Sequence, residues 1–139
     1  MIRPATLKDI PALLEMGREF ADEAGVTERT GWNNEDVSDL MAALIDSPDG
    51  IVLVSERGMI GGYVAGHPFN QSTRMFVELF WRAKDGRGLA LLEAAENAAK
   101  ARGATKSIMV AMQGMARTER LYGRLNYRPV EAQFMKELD

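Results

Sequence analysis

The sequence Gly86-Arg87-Gly88 stands directly before a segment whose apolar residues recur with helical spacing, from Leu89 to Ala99. The first turn of a helix has N–H groups without intrahelical partners and a partial positive charge, and both features bind phosphate. Glycine also lets a phosphate approach the backbone closely. The pattern therefore predicts either a phosphate-binding loop or a plain glycine turn that begins a helix.

Two well-known phosphate-binding patterns do not fit this loop. A Walker loop needs Gly-Lys-Ser/Thr, which is absent here. A dinucleotide-binding loop needs a third glycine where Leu91 stands, and it belongs to a first strand–helix unit, whereas this loop comes late in the chain. A phosphate role must therefore rest on other parts of the sequence.

Glu78 is the only charged residue in the apolar stretch from Met75 to Trp81. Simple strand alternation places Glu78 on the same face as Phe76 and Phe80. Burial among apolar neighbours raises the pKa of a carboxyl group, which suits a general base. The alternative interpretation is a glutamate at the rim of the sheet, paired with a basic side chain.

Composition limits the classes of function. The 139 residues suit one domain over 1–139, and the net charge of -3 gives no general attraction to nucleic acid or to an anionic membrane. The absence of cysteine excludes disulfides and thiol chemistry, and the single histidine, His67, excludes a multi-histidine metal site. We find no signal peptide and no apolar run of about 20 residues, so we expect a cytoplasmic protein without metal.

The hydrophobic periodicity predicts the order β-α-α-β-β-β-α-β-α-β. Hairpins in the first half imply antiparallel pairing, and the strand–helix–strand crossover in the second half implies one parallel pair. The predicted elements are a strand ending at Pro4, helices over 10–24 and from Asn33 or Asn34 to about 46, strands over 51–56, 59–66, 73–82 and 106–112, helices over 89–102 and 118–125, and a last strand over 127–138; residues 26–34 are predicted as a loop.

Three segments in this order resemble the GNAT family of acyl-CoA-dependent N-acyltransferases. Residues 83–88, AKDGRG, are similar to the family's Gln/Arg-x-x-Gly-x-Gly/Ala motif, and residues 118–127, TERLYGRLNY, are similar to Ala-x-x-Leu-Tyr-x-Lys-x-Gly-Phe. The opening IRPATLKDIPALLEM is similar to the family's first strand and helix. The chain departs from the family at two positions. Ala83 stands where the family usually has Gln or Arg, and Met115 stands where the family often has an Asn. Gln113 could make the contact of that Asn instead.

The resemblance implies a mixed α/β fold, with a mostly antiparallel twisted sheet, one parallel strand pair and helices on both faces. It implies acetyl-CoA as co-substrate and acetyl transfer to a primary amine. Tyr122 falls on the family's general-acid tyrosine, and Glu78 falls on a strand where members often place a base; the alternative for Tyr122 is simple packing. The implied cofactor-binding residues are Phe80, Trp81, Arg82, Lys84, Asp85, Gly86, Arg87, Gly88 and Leu89.

The resemblance also places the acceptor site near the loop between the first two helices. Trp32 lies in that loop, and Glu23 could attract a cationic amine; the alternatives are a hydrophobic staple and a solvated charge. The expected partner is a small-molecule or protein amine, with no nucleic acid and no membrane, and the protein is expected to be a monomer or a homodimer. The alternative function is a GNAT-like protein that binds a partner protein without catalysis.

Overall fold

A five-stranded sheet forms the centre of the protein, with its strands in chain order. The computed structural model describes residues 1–112 and 114–139, so the expectation for Gln113 lies outside the described residues. The strands are β1 (Arg3–Pro4), β2 (Gly50–Ser55), β3 (Gly58–His67), β4 (Asn70–Ala83) and β5 (Lys106–Ile108). The helices are α1 (Ile10–Glu23), α2 (Val26–Thr30), α3 (Asn34–Asp46), α4 (Gly88–Ala101) and α5 (Ala116–Arg124). Pairing is antiparallel except between β4 and β5, which are parallel, as the sequence predicts.

Helices cover both faces of this sheet, which also confirms the expectation. Successive side chains of β2 point to opposite faces: Ile51 and Leu53 pack with α4, whereas Val52 and Val54 pack with α1 and α3. One core contains Leu91, Leu92, Ala95 and Ala99 of α4, and the other contains Leu13 of α1 with Met41 and Leu44 of α3. The two cores hold the sheet between two helical layers.

A bulge in β4 corrects the predicted alternation of that strand. Gly61 of β3 pairs with Phe80, but the next residue, Gly62, pairs with Glu78, so Leu79 is an extra residue without an opposite partner. An extra residue reverses the side-chain parity of everything after it. Phe76 therefore packs in the α4 core and Phe80 in the α1–α3 core, although the sequence places them on one face.

The parallel pairing between β4 and β5 is short. The two strands pair only from Met75–Lys106 to Val77–Ile108, while β4 continues to Ala83. We call the place where residues 78–83 and residues 109–112 run side by side without pairing the β4–β5 cleft. The bulge lies at its start, because Leu79 comes two residues after the last pair.

Three other predicted elements differ from the structure. Residues 26–30 form the short helix α2 rather than a loop, since Gly25, with φ 76°, turns the chain and lets a new helix begin. Strand β5 ends at Ile108 rather than near 112. The predicted last strand is absent: positions 128–139 have no regular structure and every one of them is exposed.

Capping and turn residues fix the ends of several elements, among them the start of α3 that the sequence predicts at Asn33 or Asn34. The carboxylate of Asp9 pairs with Arg3 (2.8 Å) and accepts a hydrogen bond from the Thr6 N–H (2.7 Å); the contact with Arg3, and then that with Thr6, lower the pKa of Asp9 to about 2. Asn33 caps α3 by accepting from the Asp36 N–H (2.9 Å). Asn126 has a left-handed backbone (φ 69°), which asparagine tolerates better than most residues.

Candidate active site

The glycine loop begins α4 with an open backbone. Gly86 has φ 73°, a conformation that favours glycine, and no atom lies within 4 Å of the position that a Cβ would take there. The first helical hydrogen bond runs from the Leu91 N–H to the Arg87 carbonyl (2.8 Å). The N–H groups of Gly88, Leu89 and Ala90 thus have no acceptor within the helix, which is the arrangement that binds a phosphate.

Asp85 fixes this loop to the turn between β2 and β3. Its carboxylate accepts hydrogen bonds from the Arg57 N–H (2.8 Å), the Ser55 hydroxyl (2.7 Å) and the Arg87 N–H (3.1 Å). The bond from Arg57 and then that from Ser55 hold the pKa of Asp85 below its usual value. The Asp85 side chain therefore fixes the conformation of the loop. The N–H groups at the start of α4 remain free to donate hydrogen bonds to a diphosphate.

Arg82 and Lys84 point to α1 rather than to the loop. The guanidinium of Arg82 pairs with Glu23 and lies 3.0 Å from Glu19, and the Lys84 ammonium lies 2.7 Å from Glu19. These contacts lower the pKa of both glutamates and raise that of Arg82. Glu23, predicted as an acceptor contact, and Arg82 and Lys84, predicted as cofactor contacts, thus form one ion-pair group that joins α1 to the end of β4.

Glu78 and Tyr122 meet at one residue across the β4–β5 cleft. The Glu78 carboxylate accepts a hydrogen bond from the Val110 N–H (3.1 Å), and the Tyr122 hydroxyl donates to the Val110 carbonyl (2.7 Å). Both side chains are buried, with exposed fractions of 5% for Glu78 and 8% for Tyr122. The structure thus brings together the two side chains that the sequence assigns to proton transfer, although they are 44 positions apart.

Burial sets the protonation of both groups. Loss of water around the carboxyl group raises the pKa of Glu78 to about 7, and the single bond from Val110 only partly offsets this. Burial, and then the charge of Glu78, raise the pKa of Tyr122 above its ordinary value. At neutral pH the pair therefore consists of a carboxyl group that gives up and takes up a proton readily and a phenol that keeps its proton.

Two further aromatic rings, Trp81 and Tyr127, pack on the Tyr122 ring of this pair. Trp81 stacks on Tyr122 with ring centroids 6.0 Å apart, and its indole N–H donates to the Gly88 carbonyl (3.0 Å). The rings of Tyr127 and Tyr122 have centroids 5.6 Å apart, and the Tyr127 hydroxyl lies 2.7 Å from both Glu96 and Ser107. Trp81 thus connects the glycine loop directly to Tyr122.

The remaining predicted residues lie in different surroundings. Phe80 is a core residue between the sheet and α1–α3, whereas the Leu89 side chain is exposed at the start of α4. Trp32 is half-buried: its ring packs on Gly17 of α1, and its N–H donates to the Asn34 side chain (2.6 Å). Trp32 thus joins α1 to α3, in line with the packing alternative.

The sequence does not reveal Val110, Glu19 or Glu96 as members of this region. Val110 acts through its backbone, so its side chain carries no signal. Glu19 could have been found, because it stands four residues before Glu23 on one face of α1. Over residues 1–112 and 114–139, no three acidic, histidine or cysteine side chains gather as metal ligands.

Only solved structures, and not family models or curated sequences, match this chain. No family model matches the sequence, and no curated protein matches it significantly. The described part of the chain contains no helix long and apolar enough to cross a membrane.

Solved structures similar to this chain include several acetyltransferases. A GCN5-related N-acetyltransferase from Ralstonia eutropha JMP134 matches with a TM-score of 0.75 and 19% identity, over 99% of this chain and 97% of that one. A predicted acetyltransferase with acetyl-CoA from Clostridium acetobutylicum matches with a TM-score of 0.79 and 15% identity, over 99% and 95%. A ribosomal-protein-alanine N-acetyltransferase from Brucella melitensis biovar Abortus 2308 matches with a TM-score of 0.71 and 14% identity, over 99% of both chains. The chain therefore has the fold of the GCN5-related N-acetyltransferases, the GNAT fold.

Proposed function

We propose that this protein is a cytoplasmic N-acetyltransferase, formed by one domain over 1–139, that moves an acetyl group from acetyl-CoA to a primary amine. The observation that carries this proposal is the meeting of Glu78 and Tyr122 at Val110, in a cleft whose other end is the glycine loop. The GNAT fold of the chain and its similarity to acetyltransferases support the proposal.

The residues present fit a coenzyme A diphosphate. The N–H groups at the start of α4 would hold the diphosphate, and the exposed Arg87 side chain would add positive charge. The edge of β4 after Val77 no longer pairs with β5, so its backbone groups are available to the pantetheine arm. Acetyl-CoA supplies the thioester, and Glu78 and Tyr122 of this chain supply the two groups for proton transfer.

The chemistry needs two proton transfers. A C–N bond forms between the amine and the acetyl carbon while the C–S bond breaks. Glu78 accepts the proton that the amine loses, directly or through water, and Tyr122 gives its proton to the thiolate as the C–S bond breaks. Water then returns a proton to the Tyr122 phenolate and takes the proton from Glu78, so both groups are restored. Before the reaction the Tyr122 hydroxyl donates a hydrogen bond to the Val110 carbonyl. In the proposed step it donates to the thiolate sulfur instead.

The experiment that tests this proposal measures release of free coenzyme A thiol. Acetyl-CoA is mixed with the protein and a panel of primary amines: polyamines, aminoglycosides, amino-acid amides and lysine peptides. We expect turnover with at least one amine, and Tyr122→Phe should lower kcat by about 100-fold or more while binding acetyl-CoA normally. Tyr63→Phe, a change at a partly exposed tyrosine of β3, is the matched control and should retain full activity.

The alternative function predicts a different result. A GNAT-like protein that only binds a partner would release no thiol with any amine, whether or not it binds acetyl-CoA. A Tyr122→Phe variant with the activity of the wild type would contradict the role of this residue as acid but would leave acetyl transfer intact.

A further inference from the structure

The turn after α5 brings Tyr127 back onto Tyr122 of the same helix. The Tyr127 N–H donates to the Tyr122 carbonyl (2.9 Å), and the Asn126 N–H donates to the Gly123 carbonyl (3.3 Å). Asn126 has the left-handed backbone (φ 69°) that this pair of hydrogen bonds requires at the end of a helix. The two rings consequently lie 5.6 Å apart, centroid to centroid, at an angle of 45°. The contact between the rings is therefore set by the backbone that ends α5.

The hydroxyl of Tyr127 joins two further elements. It lies 2.7 Å from a carboxylate oxygen of Glu96, on α4, and 2.7 Å from the hydroxyl of Ser107, on β5. A phenol has one proton and an ionised carboxylate only accepts, so Tyr127 donates to Glu96 and accepts from Ser107. Burial raises the pKa of the Tyr127 hydroxyl, so the group keeps this proton at neutral pH. One side chain thus connects the end of α5 to α4 and to β5.

The contact with β5 lies just before the residue that holds the proposed acid and base. Ser107 belongs to the parallel pairing with β4, and that pairing ends at the next residue, Ile108. Val110 follows two residues later, beyond the pairing, and its backbone bonds both Glu78 and Tyr122. The position of Val110 therefore depends on how firmly the end of β5 is held.

A packing role alone would not need the hydroxyl of Tyr127. The ring packs against the apolar core between the sheet and α4. A hydroxyl beside such a core costs free energy unless it is hydrogen-bonded, and phenylalanine would fill the same space without that cost. The Tyr127 hydroxyl is bonded as donor and as acceptor, and its two partners lie on different elements. This arrangement favours a role in fixing those elements relative to one another.

We propose that Tyr127 is a positioning residue for Tyr122, the acid of the proposed function. Its ring orients the phenol ring of Tyr122. Its hydroxyl, bonded to Glu96, fixes β5 at Ser107 and thereby fixes the Val110 carbonyl that accepts from the phenol. The word acid rests on the proposed function, whereas the placement of the Tyr122 ring is a property of the folded chain without any substrate.

The test records NMR spectra of the free protein with tyrosine labelled by ¹³C at the carbon that bears the hydroxyl. The chain has three tyrosines, so three signals are expected, and single changes to phenylalanine assign them. In Tyr127→Phe the Tyr122 signal should shift or broaden by more than its linewidth, while the signal of Tyr63, on β3, stays unchanged. A Tyr122 signal that Tyr127→Phe does not alter would overturn the proposal.

Variants of Glu96 test the hydroxyl contact without changing an aromatic ring. Glu96→Ala removes the acceptor of the Tyr127 hydroxyl and should alter the Tyr122 signal as Tyr127→Phe does. Glu96→Gln keeps an acceptor oxygen and should largely restore the wild-type signal. Glu93→Ala, at an exposed glutamate of the same helix, is the matched control and should leave the spectrum unchanged. Equal spectra for Glu96→Ala and the wild type would contradict a role for the hydroxyl.

Kinetics of thiol release separate positioning of Tyr122 from binding of the donor. Tyr127→Phe should lower kcat by about tenfold, because a misplaced acid protonates the thiolate less often. The dissociation constant for acetyl-CoA should stay within about twofold of the wild-type value, because the glycine loop is intact. A wild-type kcat in a variant whose Tyr122 signal has moved would overturn the proposal. A wild type that turns over no amine would contradict the proposed function, and the spectra would still decide whether Tyr127 places Tyr122.

Discussion

The arrangement of Glu78 and Tyr122 depends on the backbone of a single residue. The N–H of Val110 bonds the carboxylate and its carbonyl accepts from the phenol, so one residue fixes the positions of both groups. Burial of Glu78 gives it a pKa of about 7, which makes it an effective base near neutral pH. The same burial costs stability whenever the carboxyl group is ionised.

The first prediction concerns this cost. The folded pKa of Glu78, about 7, exceeds its ordinary value of 4.5, so its contribution to stability is complete below pH 4.5 and is lost as the pH rises through 7. Glu78→Gln cannot ionise, so its free energy of unfolding lacks this pH-dependent loss. Between pH 4.5 and pH 8, the free energy of unfolding of the wild type should therefore fall by about 3 kcal/mol relative to that of Glu78→Gln. Urea denaturation of both proteins at several pH values measures this difference. A difference that does not change with pH would show that Glu78 is not desolvated.

The second prediction concerns the pH dependence of activity. Because only ionised Glu78 can accept a proton, kcat/KM should fall about tenfold for each pH unit below 7. Glu78→Gln should be nearly inactive, whereas Glu93→Gln, a change at an exposed glutamate of α4, should keep the wild-type profile. A flat profile from pH 5 to 8 would exclude Glu78 as the base.

At the scale of elements, the bulge in β4 positions the site. The extra residue Leu79 turns Phe80 into the α1–α3 core, and Trp81 consequently faces α4 and reaches Gly88. Without the bulge, Trp81 would point to the other face and could not stack on Tyr122. The bulge thus connects the carboxylate of Glu78 to the glycine loop.

The third prediction tests the bulge. A Cβ built on Gly62 would overlap the Val77 carbonyl oxygen, which is backbone and cannot move aside. Gly62→Ala should therefore lower the free energy of unfolding by about 1–3 kcal/mol. The folded fraction of this variant should also have lower activity than the folded wild type. Gly123→Ala, in α5, meets no atom within 4 Å and should be neutral or stabilising. Equal unfolding midpoints for the two variants would contradict this account.

The fourth prediction tests the anchor of the glycine loop. Asp85→Ala removes three hydrogen bonds that fix the loop, so acetyl-CoA should bind several-fold more weakly while the fold remains. Asp46→Asn at the exposed end of α3 is the control. Circular dichroism and calorimetric titration measure both effects, and unchanged affinity in Asp85→Ala would show that the loop does not need this anchor.

The sequence predicts local features better than distant contacts. Caps such as Asn33, the glycine loop and the helix after it follow from short-range patterns, and the structure has all three. The bulge at Leu79 leaves no mark in an apolar strand, so the facing of Phe80 is predicted wrongly. The partners of Arg82 are also hidden, because its long side chain reaches carboxylates 59 and 63 positions away.

At the scale of the whole molecule, two helical layers hold a sheet in which β4 and β5 stop pairing partway along β4. The layers fix β4 from both faces, and its parallel pairing with β5 ends after three residues, so the cleft is a consequence of the fold itself. The sequence predicts a last strand over 127–138, whereas these residues have no regular structure, because strand pairing depends on an edge that sequence periodicity does not specify. In the proposed function, acetyl-CoA would lie in the β4–β5 cleft.

Calorimetric titration with acetyl-CoA tests the central claim most directly. We predict saturable binding to the wild type and to Asn97→Glu, which adds a charge at an exposed position of α4, and no binding to Gly88→Glu, which adds the same charge at the start of that helix. A Cβ at Gly88 meets only ordinary contacts with Ala83 and Trp81, so the variant should fold. Failure of the wild type to bind acetyl-CoA, or unchanged binding by Gly88→Glu, would contradict the account.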